Sequence, residues 1–257
     1  MSEITYLSKK ILLDWYKELG VDCFMYNNPL NRLNDSRKNT CDKILDNNSS
    51  KRITPRDIAR KMSDNCNTLE ELEKAVTNFN DIDIKKTAKN TVFSDGNPKS
   101  DIMFIGEGPG FNEDNQGIPF CGLSGQLLDN ILASIQIDRS KCYITNTVFW
   151  RTPNNRRPTK DEILICKPFL EKHISLINPR ILVLVGSTAV ESLLELKTAM
   201  GKLRSQIFQY KNRYLESQIS TFVIFHPSYL LRQPSQKKNM WLDIQKIFHS
   251  YKKTKTE

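Results

Sequence analysis

The sequence predicts an α/β fold: a three-layer α/β/α domain around a central four-stranded parallel sheet, preceded by a helical N-terminal extension. Four short apolar runs read as strands: DIMFIGE (Asp101–Glu107), CYITNTVFW (Cys142–Trp150), RILVLVG (Arg180–Gly186) and TFVIFHP (Thr221–Pro227). Amphipathic helical patterns lie between them, SGQLLDNILASI (Ser124–Ile135), DEILICKPFLEKHISLI (Asp161–Ile177) and STAVESLLEL (Ser187–Leu196). Parallel neighbours need long crossovers, so this alternation places helices on both faces of a parallel sheet. With 257 residues, 39% of them hydrophobic, the chain can bury a proper core and has room for one domain plus an appendage.

In chain order, ITYLSKKILLDWYKELGV (Ile4–Val21) carries apolar residues at three- and four-residue steps and reads as an amphipathic helix. A polar stretch with Asn and Ser clusters follows and reads as a flexible linker, so residues 1–54 form the extension. Residues 55–89 form a helical lead-in, in which Thr68 and Glu71 have capping-box spacing. The main domain spans 90–250. The lysine-rich YKKTKTE (Tyr251–Glu257) is a basic tail, read as a frayed end.

The formal net charge of +9 suits a polyanionic partner without requiring one. Six cysteines, Cys23, Cys41, Cys66, Cys121, Cys142 and Cys166, show no paired spacing, and no signal sequence opens the chain. A reducing, cytoplasmic setting is expected. No apolar run approaches the ~20 residues that span a bilayer.

Two loops carry the chemistry. GEGPGFNEDNQGIPF (Gly106–Phe120) and HPSYLLR (His226–Arg232) each follow a strand-like run, and so emerge from a sheet edge where open α/β sheets bind ligands. One site is thereby assembled from two distant segments. A nucleotide-binding Rossmann-like enzyme is a poorer reading, because GEGPG does not fit GxGxxG and no P-loop lysine is present.

These loops, taken in order with NTVFSDGNP (Asn90–Pro98), ITN (Ile144–Asn146), RTPNNRRPT (Arg151–Thr159), VLVGSTA (Val183–Ala189) and the Trp241 region, resemble the uracil-DNA glycosylase superfamily, in its family-four-like bacterial branch. The resemblance covers roughly the last two thirds of the chain. It implies a monofunctional enzyme that hydrolyses the N-glycosidic bond of uracil in DNA and leaves an abasic site, the first step of base-excision repair. The alternative is a catalytically weak uracil- or DNA-binding relative, marked by loss of Glu107, Asn146 or His226; all three are present. The inserted histidine-bearing basic segment of a covalently trapping branch is missing after Asn146, so ordinary turnover is implied. Uracil-containing DNA is then the partner, with no membrane, and the chain acts as a monomer.

The resemblance also assigns roles, each with a physical reason. Phe120 matches the ring on which the flipped base stacks, which holds a base without identifying it. Asn146 matches the base-reading amide, whose donor and acceptor suit the O4 and N3–H edge of uracil and not that of cytosine. His226 matches the donor that meets uracil O2 as negative charge builds there. Glu107 orients the attacking water or stabilises the cation-like sugar, with Glu113 and Asp114 as rivals; the Asp of the best-known branch falls where this chain has Gly108. Gly106 and Gly108 let the backbone approach the nucleotide. In the second loop Leu230, with Tyr229 next, is the wedge that fills the gap left by the flipped base. Ser187, Thr188, Arg151, Arg156, Arg157 and Arg232 are candidates for phosphate contact.

A typical member holds an iron–sulfur cluster through a CxxC pair before the NTVF segment, a cysteine soon after ITN and one in the next helix. Here those places hold Phe79, Ile82, Trp150 and Cys166. One thiolate cannot hold a group that needs four ligands, so no cofactor is expected and apolar packing is expected to fill the space.

Overall fold

The strands that build the sheet are β1 (Asp95–Gly96), β2 (Ile102–Gly106), β3 (Tyr143–Asn146), β4 (Ile181–Val185), β5 (Ile207–Tyr210) and β6 (Ile219–Ile224) in a computed structural model that describes residues 53–256, with side chains through Lys253. The helix expected over 4–21 and its linker lie outside the described residues. The sheet order is β1-β3-β2-β4-β6-β5. The inner strands β3, β2, β4 and β6 are mutually parallel, and β1 and β5 add antiparallel edges. The expected parallel four are therefore the centre of a six-stranded sheet rather than all of it. The edges escape pattern reading for a reason: β1 is two residues long around Gly96, and β5 (IFQY) is largely exposed, so neither forms an apolar run.

Every residue of β2, β3 and β4 is buried, as strands covered on both faces must be. Alternate side chains feed two cores. Ile102, Phe104, Ile144, Val183 and Ile224 pack against Leu128 and Leu132 of the Leu123–Ala133 helix and Met240, Ile244, Ile247 and Tyr251 of the Lys237–Thr256 helix. Met103, Ile105, Leu182, Leu184 and Val223 face the Lys160–Ile177 and Ser187–Leu193 helices through Leu170, Ile174, Ala189 and Val190. This is the three-layer arrangement. Tyr251, the first residue of the expected tail, is buried, and the helix continues to Thr256.

In chain order the helices are α1 (Pro55–Asp64), α2 (Leu69–Asn78), α3 (Asp83–Thr87), α4 (Phe111–Gln116), α5 (Leu123–Ala133), α6 (Lys160–Ile177), α7 (Ser187–Leu193), α8 (Met200–Leu203), α9 (Pro227–Arg232) and α10 (Lys237–Thr256). The lead-in starts crisply because Thr54 and Asp57 form a capping box with Pro55 in the first turn. At α2, Thr68 Oγ1 accepts from the Glu71 N–H at 3.2 Å, while the Glu71 carboxylate reaches back to the Asn67 N–H at 2.6 Å. Helices α1 to α3 then share a third core with α6 and the segment after β3: Ala59, Leu72, Val76, Phe79, Ile82, Phe93, Phe149, Trp150, Cys166 and Phe169.

At the back of this core His173 is fully buried, its ring stacked on Phe93 at 4.3 Å and its Nε2 2.8 Å from the Tyr143 hydroxyl. Burial pushes its pKa from 6.5 down to about 3. The unfolded chain therefore binds a proton that the folded chain refuses. Stability from the neutral ring is complete above pH 6.5 and is lost as pH falls from there toward 3. Comparing urea unfolding of the wild type and His173→Gln at pH 7.5 and pH 5, we expect the wild-type advantage to shrink by about 2 kcal/mol at the lower pH. An advantage that does not change with pH would contradict a neutral buried imidazole.

Candidate functional site

The register of the parallel ladder decides what meets at its C-terminal edge. Gly106 pairs with Asn146 and Val185 with Ile224, so the residues that follow the four inner strands emerge side by side. Glu107, Asn146, Ser187 and His226 all line one cavity of about 1120 Å³, together with Phe120 and Arg232. Beyond the strands the pairing continues, with Thr147 N–H on Gly106 O at 2.9 Å and Val148 N–H on Glu107 O at 3.2 Å, which holds the Glu107 backbone against β3.

His226 is the N-cap of α9, and its Nδ1 accepts the Ser228 N–H at 3.2 Å with Ser228 Oγ at 2.8 Å. A backbone N–H can only donate, so Nδ1 is the unprotonated nitrogen. Burial lowers the His226 pKa; Glu107 opposes the shift and Arg232 adds to it. The ring is thus neutral at pH 7 with its proton on Nε2, a fixed donor on the side away from the helix.

The Phe120 ring lies 5.7 Å from the His226 ring at an interplanar angle of 29° and is buried. Its backbone is in the left-handed region, at φ 53°, which a Phe does not adopt unaided. Two contacts hold it there. Arg139 donates to the carbonyls of Pro119 and Phe120, and is itself fixed by Asp129 and Asp95 at 2.9 and 2.5 Å. Gly125 of α5 lies so close that a Cβ there would stand 1.6 Å from the Phe120 carbonyl oxygen. On the other side, a Cβ on Gly106 would lie 2.4 Å from Asn146 Oδ1 and 2.5 Å from Phe120 Cζ, so this glycine keeps the gap between amide and ring open. The expected close approach at Gly108 is of another kind: a side chain there would strike Val148 Cγ2 at 2.6 Å.

The three carboxylates separate by their bonds. Glu113 accepts from the Gly110 and Gly122 N–H groups at 3.0 and 2.8 Å and latches one loop to the next. Asp114 is buried and accepts from the Lys89 and Asn90 N–H groups at 2.8 and 3.1 Å, which ties the lead-in to α4. Glu107 faces the cavity, and among the described residues its carboxylate is held by Thr188 alone, whose hydroxyl lies 2.5 Å from Oε2.

The second loop differs from expectation. HPSYLLR is the short helix α9, so consecutive side chains point about 100° apart. Leu230 is fully buried against α5 and α10 and cannot serve as a wedge; the outward residue is its neighbour Leu231, 46% exposed. Tyr229 packs its ring 5.1 Å from Phe225 and lines the cavity. Ser187 is exposed at the start of α7, whereas Thr188 beside it is fully buried and is no phosphate contact. Arg156 is held by Glu162 at 2.6 Å, Arg151 covers the Phe111 ring at 5.1 Å, and Arg232 is exposed at the rim. Arg139 and the latch formed by Glu113 were not foreseen as parts of the site. Arg139 joins groups up to 44 positions away, and no local pattern signals such a contact.

A model of the uracil DNA glycosylase superfamily matches residues 93–245. A type-4 uracil-DNA glycosylase of Sulfurisphaera tokodaii is 35% identical over 185 residues, 70% of this chain and 83% of that protein. One from Pyrobaculum aerophilum is 32% identical over 185 residues, 70% and 93% of the two chains, and one from Thermotoga maritima is 40% identical over 149 residues, 58% and 75%.

The packing around Phe120 gives a direct check. Gly125→Ala is expected to destabilise the fold by roughly 3 kcal/mol, because helix and loop must part. Gly201→Ala meets nothing within 4 Å and is expected to be neutral or stabilising by up to about 1 kcal/mol. Urea unfolding of both variants measures the contrast, and equal effects would contradict the tight seat of Phe120.

Proposed function

This chain belongs to the uracil DNA glycosylase superfamily, and we propose that it hydrolyses the N-glycosidic bond of uracil in DNA, releasing free uracil and leaving an abasic site. The observation that carries the reading is the meeting of the Phe120 ring, the Asn146 amide and the Nε2–H of His226 at one cavity. A uracil turned out of the stack lies on Phe120, and unstacking it costs a few kcal/mol that the pocket must return. Asn146 offers its amide to O4 and N3–H, and in so buried a place a cytosine edge would leave groups unpaired. As the bond breaks, charge gathers on O2, and the neutral His226 meets it with Nε2–H without having to lose a proton first. Glu107 orients the water that attacks the sugar carbon and stabilises the positive charge developing there.

Exposed Ser187 and Arg232 contact the DNA backbone, while the half-buried Tyr229 at the cavity wall and the exposed Leu231 on another side of α9 serve the gap beside the flipped base. A cytoplasmic setting fits the free thiols of Cys66, Cys121, Cys142 and Cys166. No helix among the described residues is long and apolar enough to cross a membrane.

The iron–sulfur cluster implied by the branch does not fit these residues. Phe79, Ile82, Trp150 and Cys166 converge in one core, where Phe79 stacks on Trp150 at 6.4 Å and meets Phe169 edge-on at 5.3 Å. Burial pushes the Cys166 thiol up to about 12, and the other three places offer no sulfur to share a cluster with it. Among the described residues no group of three or more His, Cys, Asp or Glu side chains is arranged to hold a metal.

Two experiments test this reading. A labelled single-uracil oligonucleotide, treated with alkali after incubation, should be cleaved by the wild type. His226→Ala should lower the rate about 10²–10³-fold, and Glu107→Gln should lower turnover strongly while leaving uracil-DNA binding nearly intact. Tight binding by a wild type that never cleaves would instead favour the weak DNA-binding relative. Separately, protein purified without oxygen should carry iron far below one atom per chain, and stoichiometric iron would overturn the packed-core reading.

A further inference from the structure

We infer that Thr188 is a positioning residue for Glu107, fixing the carboxylate through a hydroxyl that is itself oriented by Arg157. The inference rests on the glycosylase reading above and assigns a new part to it. Thr188 sits in the first turn of α7, fully buried, and its Oγ1 lies 3.0 Å from Arg157 Nε and 2.5 Å from Glu107 Oε2. A threonine hydroxyl has one proton. Because arginine can only donate, Arg157 occupies a lone pair of Oγ1, and the hydroxyl proton goes to the carboxylate. The order of donation, Arg157 to Thr188 to Glu107, is therefore fixed. A hydroxyl polarised by a guanidinium and aimed at an anion makes a charge-assisted bond.

The anchors on either side are rigid. Glu107 follows β2 and Thr188 follows β4, and those strands are paired neighbours in the sheet, so residues 81 positions apart are held at fixed separation by the ladder. Arg157 is steadied in turn by Glu191 of α7 at 3.1 Å. Among the described residues the Glu107 carboxylate has no other hydrogen-bond partner, which leaves Oε1 to act in the cavity while Oε2 is tied. A free glutamate side chain samples many rotamers, and misplacement of a catalytic group by about 1 Å is enough to lower a rate about a hundredfold.

The test is a double-mutant cycle in single turnover on the single-uracil oligonucleotide, with KM, or the dissociation constant for uracil-DNA, measured alongside. Thr188→Val is expected to lower the maximal rate about tenfold or more with KM changed less than about twofold. Thr188→Ser, which restores the hydroxyl, should recover most of the loss. In a Glu107→Gln background Thr188→Val should add no further loss, because the group it positions is already disabled. Arg157→Ala, on a half-exposed side chain that does not threaten the fold, should give a smaller loss of rate that likewise disappears in the Glu107→Gln background. Equal losses in both backgrounds, a failure of serine to rescue, or a wild-type rate in Thr188→Val or Arg157→Ala would each overturn the inference while leaving the glycosylase reading standing. A wild type that releases no uracil would sink that reading first and this one with it.

Discussion

Everything at the site hangs from the hydrogen-bonded register of four parallel strands. Because β3, β2, β4 and β6 pair without a slip, Gly106 stands beside Asn146 and Val185 beside Ile224, and the groups that follow them converge. A shift of one residue in any of these ladders would turn a strand's side chains to the opposite face. It would exchange the core made with α5 and α10 for the one made with α6 and α7, which differ in shape and content. The burial of both faces is thus what pins the register, and the register is what brings chemistry from four distant stretches of chain to one edge. Stability and site geometry share a single cause.

On that frame the loops are held by polar contacts rather than by apolar packing alone. Arg139 fixes the carbonyls beside Phe120, Glu113 ties two N–H groups from successive loops, and Ser228 fixes the ring of His226. Each of these bonds is satisfied before any ligand arrives. A pocket that meets developing charge with groups already oriented avoids the reorganisation that water would require. The unfavourable backbone angle at Phe120 belongs to the same economy of order: the surroundings over-determine it, and the ring is presented in return.

The sequence made much of this legible, and the failures have physical causes. Short apolar runs announce the inner strands, since burial on both faces keeps most of their residues apolar, and the two loop motifs follow directly from strand ends. Edge strands as short as β1 or as exposed as β5 carry no such signal. The reading of Leu230 as an outward wedge took HPSYLLR for an extended loop; His226 instead caps a helix, and helical rotation sends Leu230 inward and Leu231 outward. From the sequence alone Thr188 stands beside Ser187 among the candidates for phosphate contact. Only the fold shows that its hydroxyl turns back under the sheet edge toward Glu107. Arg139 was invisible for the same reason: its partners are assembled by tertiary structure and carry no pattern along the chain.

Trp150 joins the last two parts of the molecule. Its ring belongs to the core shared with the lead-in helices, stacked on Phe79, and its Nε1–H is satisfied by Thr91 Oγ1 at 3.0 Å. The same residue also lines the cavity, only a few positions after Asn146. Helices α1 to α3 are therefore not a detached preface to the domain: through Phe79 and Trp150 they brace the segment that leaves β3 and carries the wall of the site. A metal cluster held by four thiolates would tie the same segments together by coordination. Here dispersion and aromatic contact among large buried rings do so, and they require neither iron nor a thiolate to persist. Lead-in and pocket are thus a single packed structure, with Phe79 and Trp150 at its joint.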